Sequence, residues 1–380
     1  MTTLEQTHID EAVVRPSTSC GSGHLQRISG FLIAPFFLVL ILLLPVSLNA
    51  QANQQFILQT ATGGAAIAGS TPTYSTSFGA LNAFGVGSPA VGVTAVPTAT
   101  GTLYFSKINF VIGNLLGHHQ GIISAYVSSN FAHPTAMILQ GCQNAATCTI
   151  STNYTNLSTS AATPTVIVPI MNENTTATGG IAIFIPDNNG AGAFAGTDSA
   201  TVTFVGKDAQ NGQALNSVTL SFNSQSLVTA LQLTLSTATG GVTVNAASDY
   251  SMSFGNVNGI GVGPSAGLTV VPQAGGVIYS TPYTLTPAFS NFSSTTGTIK
   301  VAVSTNFAHS SVLSLGTATV SAGPYTTIST SVGSPTQITN TATTRTAVTP
   351  YLGLFVSTVN GAGAFNGSDS ATLTYSLTVP

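Results

Sequence analysis

The chain has 380 residues, of which 43% are hydrophobic and only 4% are charged, and its formal net charge is −3 at pH 7. This length is enough for two or three domains, and the recurring apolar residues argue against a disordered polar chain. The six Lys and Arg residues are scattered and form no basic cluster, so we expect no nucleic acid as a partner.

The first predicted element is an export signal at residues 1–52. An uncharged apolar run, FLIAPFFLVLILLLPVSL at residues 31–48, is preceded by two arginines and followed by AQA, whose small residues suit a signal peptidase. We therefore expect a signal helix that is cleaved after Ala52, or after Ala50. The alternative is an uncleaved signal anchor, because a run of this length is just able to span a bilayer. The membrane is then a partner only through this segment.

From residue 53 onward the sequence contains two similar copies, one after the other. The repeated phrases are TATGG (60–64 and 237–241), YS[TM]SFG (74–79 and 250–255), GVG (85–87 and 261–263), NFAH (130–133 and 306–309) and NGAGAF (189–194 and 360–365). Because the phrases keep their order and nearly their spacing, duplication of a whole domain explains them better than a short repeat. We predict one domain at 53–224 and a second at 225–380, separated in the polar stretch at 222–226.

The pattern within each copy predicts strands. In SATLTYSLTV the residues Ala371, Leu373 and Tyr375 alternate with Ser and Thr, which is typical of a strand with one buried face. Gly and Pro interrupt each copy at intervals that suit an antiparallel sandwich. We therefore predict an all-β fold of two tandem, internally duplicated antiparallel β-sandwich domains, immunoglobulin-like or pilin-like, behind the N-terminal signal helix.

The first stretch after the leader, QQFILQT at Gln54–Thr60, has two interpretations. It can be the first strand of its own domain, or it can add to the sheet of a neighbouring molecule. The sequence ALQLTLSTATGG holds the corresponding place in the second copy and favours the first interpretation.

The chain has three cysteines. Cys20 lies in the leader, which leaves Cys142 and Cys148 as an even pair in an oxidising compartment. We predict a disulfide between them. The alternative, a metal site, has no neighbouring His or Cys at ligand spacing.

The repeated phrase NGAGAF is followed in each copy by an aspartate, Asp198 or Asp369. Glycines allow a positive φ, and a short Asp side chain can bind nearby backbone amides, so we predict that both aspartates lock a turn. Calcium is the alternative in the first copy, where Asp187, Asn188 and Asn189 add oxygen atoms. The second copy keeps only its aspartate, which argues against a symmetric calcium site.

Two groups of histidines are candidates for a ligand-binding or metal-binding role. His133 and His309 end the NFAH phrases, where a corner exposed to solvent is the expected role and a ligand role is the alternative. The pair His118 and His119 has no counterpart in the second copy. A shared metal there would need a loop, because adjacent residues of a strand point to opposite faces.

The titratable residues do not form a recognisable catalytic pattern. No nucleophile elbow, metalloprotease helix or paired carboxylates are present, so we predict no enzyme, no cofactor, and no catalytic, cofactor-binding or metal site. Four tyrosines are candidates for stacking on a ligand, although no site is assigned to them: Tyr104, Tyr126, Tyr279 and Tyr283.

The functional prediction follows from the low charge and the export signal. We expect a secreted or cell-surface structural or adhesive protein, extracellular or periplasmic, that acts through self-association or surface attachment of β domains with few charges. Its partners are then copies of itself, or a glycan or other cell-surface component. The alternative function is an extracellular glycan-binding or surface-binding module without catalytic activity.

Overall fold

The structure of the chain is a computed structural model. It describes residues 55–113, 120–143, 148–149, 151–210, 212, 214–246, 249–359 and 363–380. These ranges contain β-strands and short 3-10 turns, at Ser151–Asn153 and Gly190–Gly192, and no α-helix. The predicted all-β fold is therefore confirmed for the part of the chain described. No helix within these ranges is long and apolar enough to cross a membrane, and the predicted leader at residues 1–52 lies outside them.

The strands fall into two sets along the chain. The first set is β1 (Gln55–Thr60), β2 (Ala68–Ser70), β3 (Thr73–Thr76), β4 (Gly79–Leu81), β5 (Ser88–Pro89), β6 (Thr94–Thr98), β7 (Gly101–Gly113), β8 (Gln120–Ser129), β9 (Ile138–Cys142), β10 (Thr155–Asn156), β11 (Thr165–Asn172), β12 (Thr176–Pro186), β13 (Gly196–Asp208) and β14 (Ala214–Leu227). The second set is β15 (Ala230–Thr237), β16 (Thr269–Gln273), β17 (Gly276–Ser290), β18 (Gly297–Thr305), β19 (Leu313–Ala318), β20 (Thr326–Thr327), β21 (Thr336–Ala342), β22 (Tyr351–Ser357) and β23 (Thr372–Thr378).

The first set, β1–β14, forms what we call the first sandwich. One sheet has the order β1-β7-β12-β9-β10, with β6 beside β7, and the other has the order β11-β8-β13-β14-β3-β2, with β4 beside β14 and β5 beside β4. Alternate residues point inward from both sheets, as the period-2 pattern predicts. Phe110 of β7 and Phe204 of β13 meet across the layers with ring centroids 5.2 Å apart, and both are buried. The core therefore lies between the sheets.

The second set, β15–β23, forms the second sandwich. Its larger sheet, β15-β17-β22-β19-β20 with β16 beside β17, repeats the order of the first sheet strand for strand. Its other sheet is β21-β18-β23. Tyr283 and Tyr375 meet between the layers with ring centroids 5.9 Å apart. The two sandwiches thus share a topology up to β23, while the gene duplication that would explain it stays a prediction.

The polar stretch at residues 222–226, where we placed the boundary between the domains, is part of a strand. β14 continues to Leu227, and Phe222 and Gln225 in it are fully buried. Ser224 has a φ of 51°, and the pairing of β13 with β14 shifts register between Asp198 and Ala200. This bulge breaks the period-2 pattern, which is why the stretch reads as a loop. The change from one set of sheets to the other falls between β14 and β15, and the division into two domains stays a prediction.

A short loop of the first sandwich, residues 187–190, is hydrogen-bonded to the second sandwich. The bonds run from Asn291 N to Asn188 O (2.6 Å), from Gly190 N to Phe292 O (2.9 Å), from Asn189 Nδ2 to Phe289 O (2.9 Å) and from Phe292 N to Asn189 Oδ1 (3.2 Å). Asp187 adds an ion pair with Arg345, which donates through both Nε and Nη2. We call residues 187–190 the junction loop.

The stretch after the leader is a strand of its own sandwich. β1 pairs antiparallel with β7, from Gln55 opposite Gly113 to Thr60 opposite Ile108. Its Phe56 side chain is 1% exposed. Of the two interpretations of this stretch, the structure therefore shows the first.

Candidate functional site

The first candidate site is a surface loop at residues 82–92, held from below by a buried tyrosine. The Tyr104 hydroxyl donates to the Asn82 carbonyl oxygen at 2.8 Å and accepts the Asn82 N–H at 3.1 Å. Asn82 Oδ1 in turn accepts the N–H groups of Phe84 and Val86 at 2.9 and 3.2 Å. Burial raises the pKa of the Tyr104 hydroxyl, and backbone hydrogen bonds only partly offset this, so the group remains a donor at neutral pH.

The second sandwich builds the same loop at residues 258–267. The Tyr279 hydroxyl donates to the Asn258 carbonyl oxygen at 2.8 Å and accepts the Asn258 N–H at 3.0 Å. Asn258 Oδ1 accepts the N–H groups of Ile260 and Val262, both at 3.1 Å. We call residues 82–92 and 258–267 the clamped loops, because buried groups fix their backbone at the base.

A glycine at the same place in each loop makes the turn possible. Gly85 and Gly261 have φ values of 75° and 78°, a region that side chains with a Cβ rarely adopt. At Gly261 a Cβ would also come within 2.6 Å of the Val270 side chain. The first glycine of GVG in the shared sequence N-x-x-G-V-G is therefore required by the loop conformation. The GVG repeat is visible in the sequence, but the loop that it forms is not.

The clamped loops expose aliphatic side chains. Val86 and Val91 in the first are 75% and 95% exposed, and Ile260 and Val262 in the second are 74% and 63% exposed. Aliphatic groups on a fixed backbone can be desolvated against an apolar surface with little loss of conformational entropy. The arrangement is thus suited to apolar contact. It provides no acid, base or nucleophile from these side chains.

The second candidate site is the corner at which the NFAH phrase meets the aspartate that follows NGAGAF. Asp198 lies in β13, where its Oδ1 accepts the N–H groups of Ala132 (3.1 Å) and Ser199 (2.7 Å). Its Oδ2 accepts the His133 N–H at 2.9 Å and lies 3.0 Å from His133 Nδ1. The same carboxylate therefore binds two segments that are 65 residues apart in the chain.

The corner is repeated in the second sandwich. Asp369 Oδ1 accepts the N–H groups of Ala308 (3.1 Å) and Ser370 (2.8 Å). Its Oδ2 accepts the His309 N–H at 2.8 Å and lies 2.9 Å from His309 Nδ1. The imidazole stacks on Phe365, with centroids 3.7 Å apart, just as His133 stacks on a phenylalanine in the first sandwich.

The electrostatics of the corners follow from these hydrogen bonds. Burial alone would raise the pKa of each aspartate, but the N–H donors and the facing imidazole outweigh it. The pKa of Asp198 is held below its usual value, and that of Asp369 falls to about 2. Both oxygens of each carboxylate are engaged with the turn, so the geometry suits the turn-locking role. That role stays a prediction until it is tested by substitution.

Three of the four tyrosines considered as stacking platforms lie in the core. Tyr104, Tyr279 and Tyr283 are at most 1% exposed, which leaves no ring face for a ligand, while Tyr126 is half-buried. His118 and His119 lie outside the described residues.

The oxygen-bearing residues weighed as calcium ligands are divided between two contacts. Asp187 and Asn189 bind the second sandwich in the junction loop, whereas Asp198 holds the histidine corner. Among the described residues, no three His, Cys, Asp or Glu side chains come together as metal ligands would.

The predicted disulfide between Cys142 and Cys148 is confirmed. Both cysteines are buried beside Phe105 and Tyr154 in a small apolar cluster on the face of the β7 sheet. The Tyr154 hydroxyl donates to the Cys148 carbonyl oxygen at 3.2 Å. The bridge therefore connects the end of β9 to the turn at residues 148–149, and the second copy has no cysteine to form a counterpart.

Comparison with known proteins places the chain in no family. No protein-family model and no curated protein matches it. Among solved structures, the CupB6 tip adhesin of Pseudomonas aeruginosa is 8% identical over 85% of this chain and 94% of its own, with a TM-score of 0.30. A chaperone–tip adhesin complex of CFA/I fimbriae is 12% identical over 81% and 96%, with a TM-score of 0.22. The C-terminal domain of Streptococcus pyogenes AspA is 9% identical over 76% and 94%, with a TM-score of 0.17. These scores are too low to support an argument about function.

Proposed function

We propose that this protein is exported and acts at the cell surface as a structural or adhesive protein without catalytic activity. The single observation that carries the proposal is the pair of clamped loops, each of which presents aliphatic side chains to solvent on a backbone fixed by a buried tyrosine. The exposed aliphatic groups recur at the same loop of both sandwiches, and their fixed backbone lets them enter apolar contacts with little loss of conformational entropy.

The charge of the chain supports the same function. With a formal net charge of −3 over 380 residues, copies of the chain repel each other weakly. Apolar contact between copies, or with an uncharged surface, then meets little electrostatic opposition.

The alternative as a glycan-binding module has less support from the described residues. Glycan sites commonly stack a sugar on an exposed aromatic ring, and three of the four candidate tyrosines are buried. A glycan screen of the purified protein tests this alternative directly.

The attachment proposal is tested with the double variant Val86→Ser and Val262→Ser in the full chain. Adsorption to an alkyl-coated sensor and self-association in sedimentation velocity should both weaken, adsorption by about tenfold or more, because two apolar contacts are lost. The control is Val320→Ser with Val332→Ser, two valines with 52% and 58% exposure outside the clamped loops.

The outcome separates attachment through these loops from general stickiness. The control pair should retain the adsorption of the unaltered protein. An equal loss in both double variants, or none in either, would contradict the proposed role of the loops. Electron microscopy of the same samples shows whether self-association produces filaments or sheets.

Export is tested independently by mass spectrometry. We expect the secreted protein to begin at Asn53, or at Gln51, with Cys142 and Cys148 joined. Recovery of the chain only in the membrane fraction, with its leader intact, would instead identify residues 1–52 as an anchor.

A further inference from the structure

The described residues contain three asparagines that are followed directly by glycine. They are Asn189–Gly190, Asn258–Gly259 and Asn366–Gly367. In such a pair the backbone nitrogen of the glycine can attack the side-chain amide carbon of the asparagine, because a residue without a Cβ leaves the approach open and the backbone free to turn. The attack requires an amide that can rotate and a glycine N–H that is not held elsewhere. The structure therefore decides which of the three pairs can react.

The first pair lies in the junction loop, and its reacting groups are all held. Asn189 Nδ2 donates to Phe289 O at 2.9 Å, and Asn189 Oδ1 accepts the Phe292 N–H at 3.2 Å. The Gly190 N–H donates to Phe292 O at 2.9 Å. The attacking nitrogen and the amide that it would attack are thus both bound to the second sandwich.

The second pair belongs to a clamped loop and is held through its side chain. Asn258 Oδ1 accepts the N–H groups of Ile260 and Val262, both at 3.1 Å, and Asn258 Nδ2 donates to Val262 O at 2.8 Å. Rotation of this amide towards Gly259 would break all three hydrogen bonds. The contacts that fix the loop therefore also protect its asparagine.

The third pair lacks these contacts. Asn366 and Gly367 are exposed and lie between β22 and β23, outside any strand. Neither the Asn366 amide nor the Gly367 N–H has a hydrogen-bond partner among the described residues. The first copy has Ala195 at the place of Asn366, so this pair occurs only in the second sandwich.

We propose that Asn366 is a site of spontaneous modification, at which the folded protein converts asparagine to aspartate and isoaspartate over time. The Gly367 nitrogen forms a bond to Asn366 Cγ, the amide nitrogen leaves as ammonia with the proton of the Gly367 N–H, and a succinimide ring remains. Water then opens the ring at either of its carbonyl groups. One opening gives aspartate, and the other gives isoaspartate, whose main chain is longer by a methylene group. The reaction consumes water and needs no oxidant, reductant or enzyme.

The modified residue lies between two groups that hold the same histidine. Phe365 stacks on the His309 imidazole with centroids 3.7 Å apart, and Asp369 Oδ2 lies 2.9 Å from His309 Nδ1. A longer main chain between Phe365 and Asp369 disturbs the geometry in which both contacts form together. The new carboxylate also disfavours the ionised form of Asp369, which accepts the N–H groups of the corner. Conversion of Asn366 should therefore loosen the corner of the second sandwich.

This inference goes beyond the proposed function and does not depend on it. The clamped loops and the His309 corner share no residue, so adsorption through Val86 and Val262 should be the same before and after the conversion. Failure of one proposal therefore leaves the other in place.

The first test follows the pairs in the purified protein during incubation in mildly alkaline buffer. Peptide mapping by mass spectrometry, with a fragmentation method that separates aspartate from isoaspartate, measures each conversion rate. Asn366 should convert about a hundredfold or more faster than Asn258, because the Asn258 amide must first break three hydrogen bonds. In concentrated urea the two rates should become similar, since the contacts of the folded chain are then lost.

The second test uses Asn366→Ala, which introduces the residue of the first copy and removes the reacting amide. After incubation, amide hydrogen exchange at Ala308 and His309 should be about tenfold faster in the unaltered protein than in the variant, because both N–H groups are bound to Asp369. Before incubation the two proteins should exchange alike at these residues.

The first sandwich supplies an internal control in the same samples. The N–H groups of Ala132 and His133 are bound to Asp198 in the same way, and Ala195 cannot react. Their exchange should not change on incubation. Equal loss of protection at both corners would indicate general unfolding and would contradict a local effect of Asn366.

Other outcomes overturn the proposal. Conversion of Asn258 as fast as that of Asn366 in the folded protein would show that the hydrogen bonds do not protect the amide. An unchanged Asn366, or one that carries a glycan on its amide nitrogen as the N-x-S triplet at 366–368 allows, would exclude the reaction. Unchanged exchange at Ala308 and His309 after full conversion would show that the corner does not depend on this residue.

Discussion

Asp369 connects the NFAH turn of the second sandwich to the last strand, and the energy of that contact depends on its charge. The prediction concerns pH. Because the pKa of Asp369 falls to about 2 in the folded chain, from 3.8 in the absence of these contacts, the ionised form is the stabilising one. Its contribution should be complete above about pH 4 and should be lost as the pH falls from about 4 toward 2.

The variant Asp369→Asn isolates this contribution. It should lower stability at pH 7 and should weaken the loss of stability between pH 4 and pH 2, as measured by urea unfolding over a series of pH values. Asp249→Asn, at an exposed position, is the control. Identical pH profiles for Asp369→Asn and the unaltered chain would show that the carboxylate does not hold the turn.

The tyrosine hydroxyls of the clamped loops give a second prediction at the scale of single residues. Tyr104→Phe leaves the buried N–H and C=O of Asn82 without their partner, so the free energy of unfolding should fall by about 1–3 kcal/mol. Tyr279→Phe should act in the same way through Asn258. Denaturant unfolding measures the loss, and amide exchange should show it concentrated in residues 82–92 or 258–267. Unchanged exchange in these loops would mean that the hydroxyls do not clamp them.

The role of a single residue could be predicted from the sequence only where few alternatives exist, because the residue type is rare or because its phrase is repeated. Cys142 and Cys148 form the one pair left after the leader, and their disulfide is confirmed. For the tyrosines the sequence left a ligand role and a core role open, because a phenol suits both, and burial decides between them. Burial depends on residues distant in sequence, so the pattern near Tyr104 could not reveal it.

At the scale of elements, the two YS[TM]SFG segments allow a matched comparison. Phe78 is fully buried under β14, so Phe78→Ala should cost about 3–5 kcal/mol. Phe254 has the same place in the second sandwich, but it is half-buried and none of the described strands covers it, so Phe254→Ala should cost clearly less. Urea unfolding monitored separately for each sandwich measures both values. Equal costs would show that Phe254 is as well covered in solution as Phe78.

The alternation of apolar residues predicted strands well where a strand is paired on both sides within its sheet, as β13 is. It could not predict that YSMSFG lacks a strand, because the deciding neighbour is supplied by another part of the sheet. The end of β14, residues 222–227, was missed for a local reason, since the bulge at Ser224 shifts the inward positions by one residue. Strand propensity was thus readable in the sequence, whereas strand pairing was not.

At the scale of the whole molecule, the position of the division between the sandwiches can be tested with two fragments. Residues 53–228 keep all of β14, and residues 53–224 lose Gln225, which binds the Phe78 N–H, and Leu227, which is buried. The shorter fragment should be less stable by about 3 kcal/mol or more, given one lost buried hydrogen bond and one lost apolar side chain. Equal urea midpoints for the two fragments would contradict the role of this part of β14.

The repeated phrases predicted the shared topology of the two halves, because residues that pack together recur in the same order. No repeated phrase in the sequence indicates the contacts of the junction loop. Asn188 and Asn189 bind the backbone near Phe289 and Phe292. The corresponding residues of the second copy, 358–361, read TVNG in place of DNNG, so the pattern is not repeated in the sequence. A contact between the two copies occurs only once in the chain, so a comparison of the copies cannot reveal it.

The junction loop has a mechanical consequence. Only two residues separate β14 from β15, and residues 187–190 fasten the sandwiches a second time through backbone hydrogen bonds and the pair of Asp187 with Arg345. Two attachments restrict rotation between the sandwiches more than a single connection would. A pulling force on the chain would therefore be shared between the two-residue covalent connection and the contacts of the junction loop. These contacts would have to break before the sandwiches could rotate against each other.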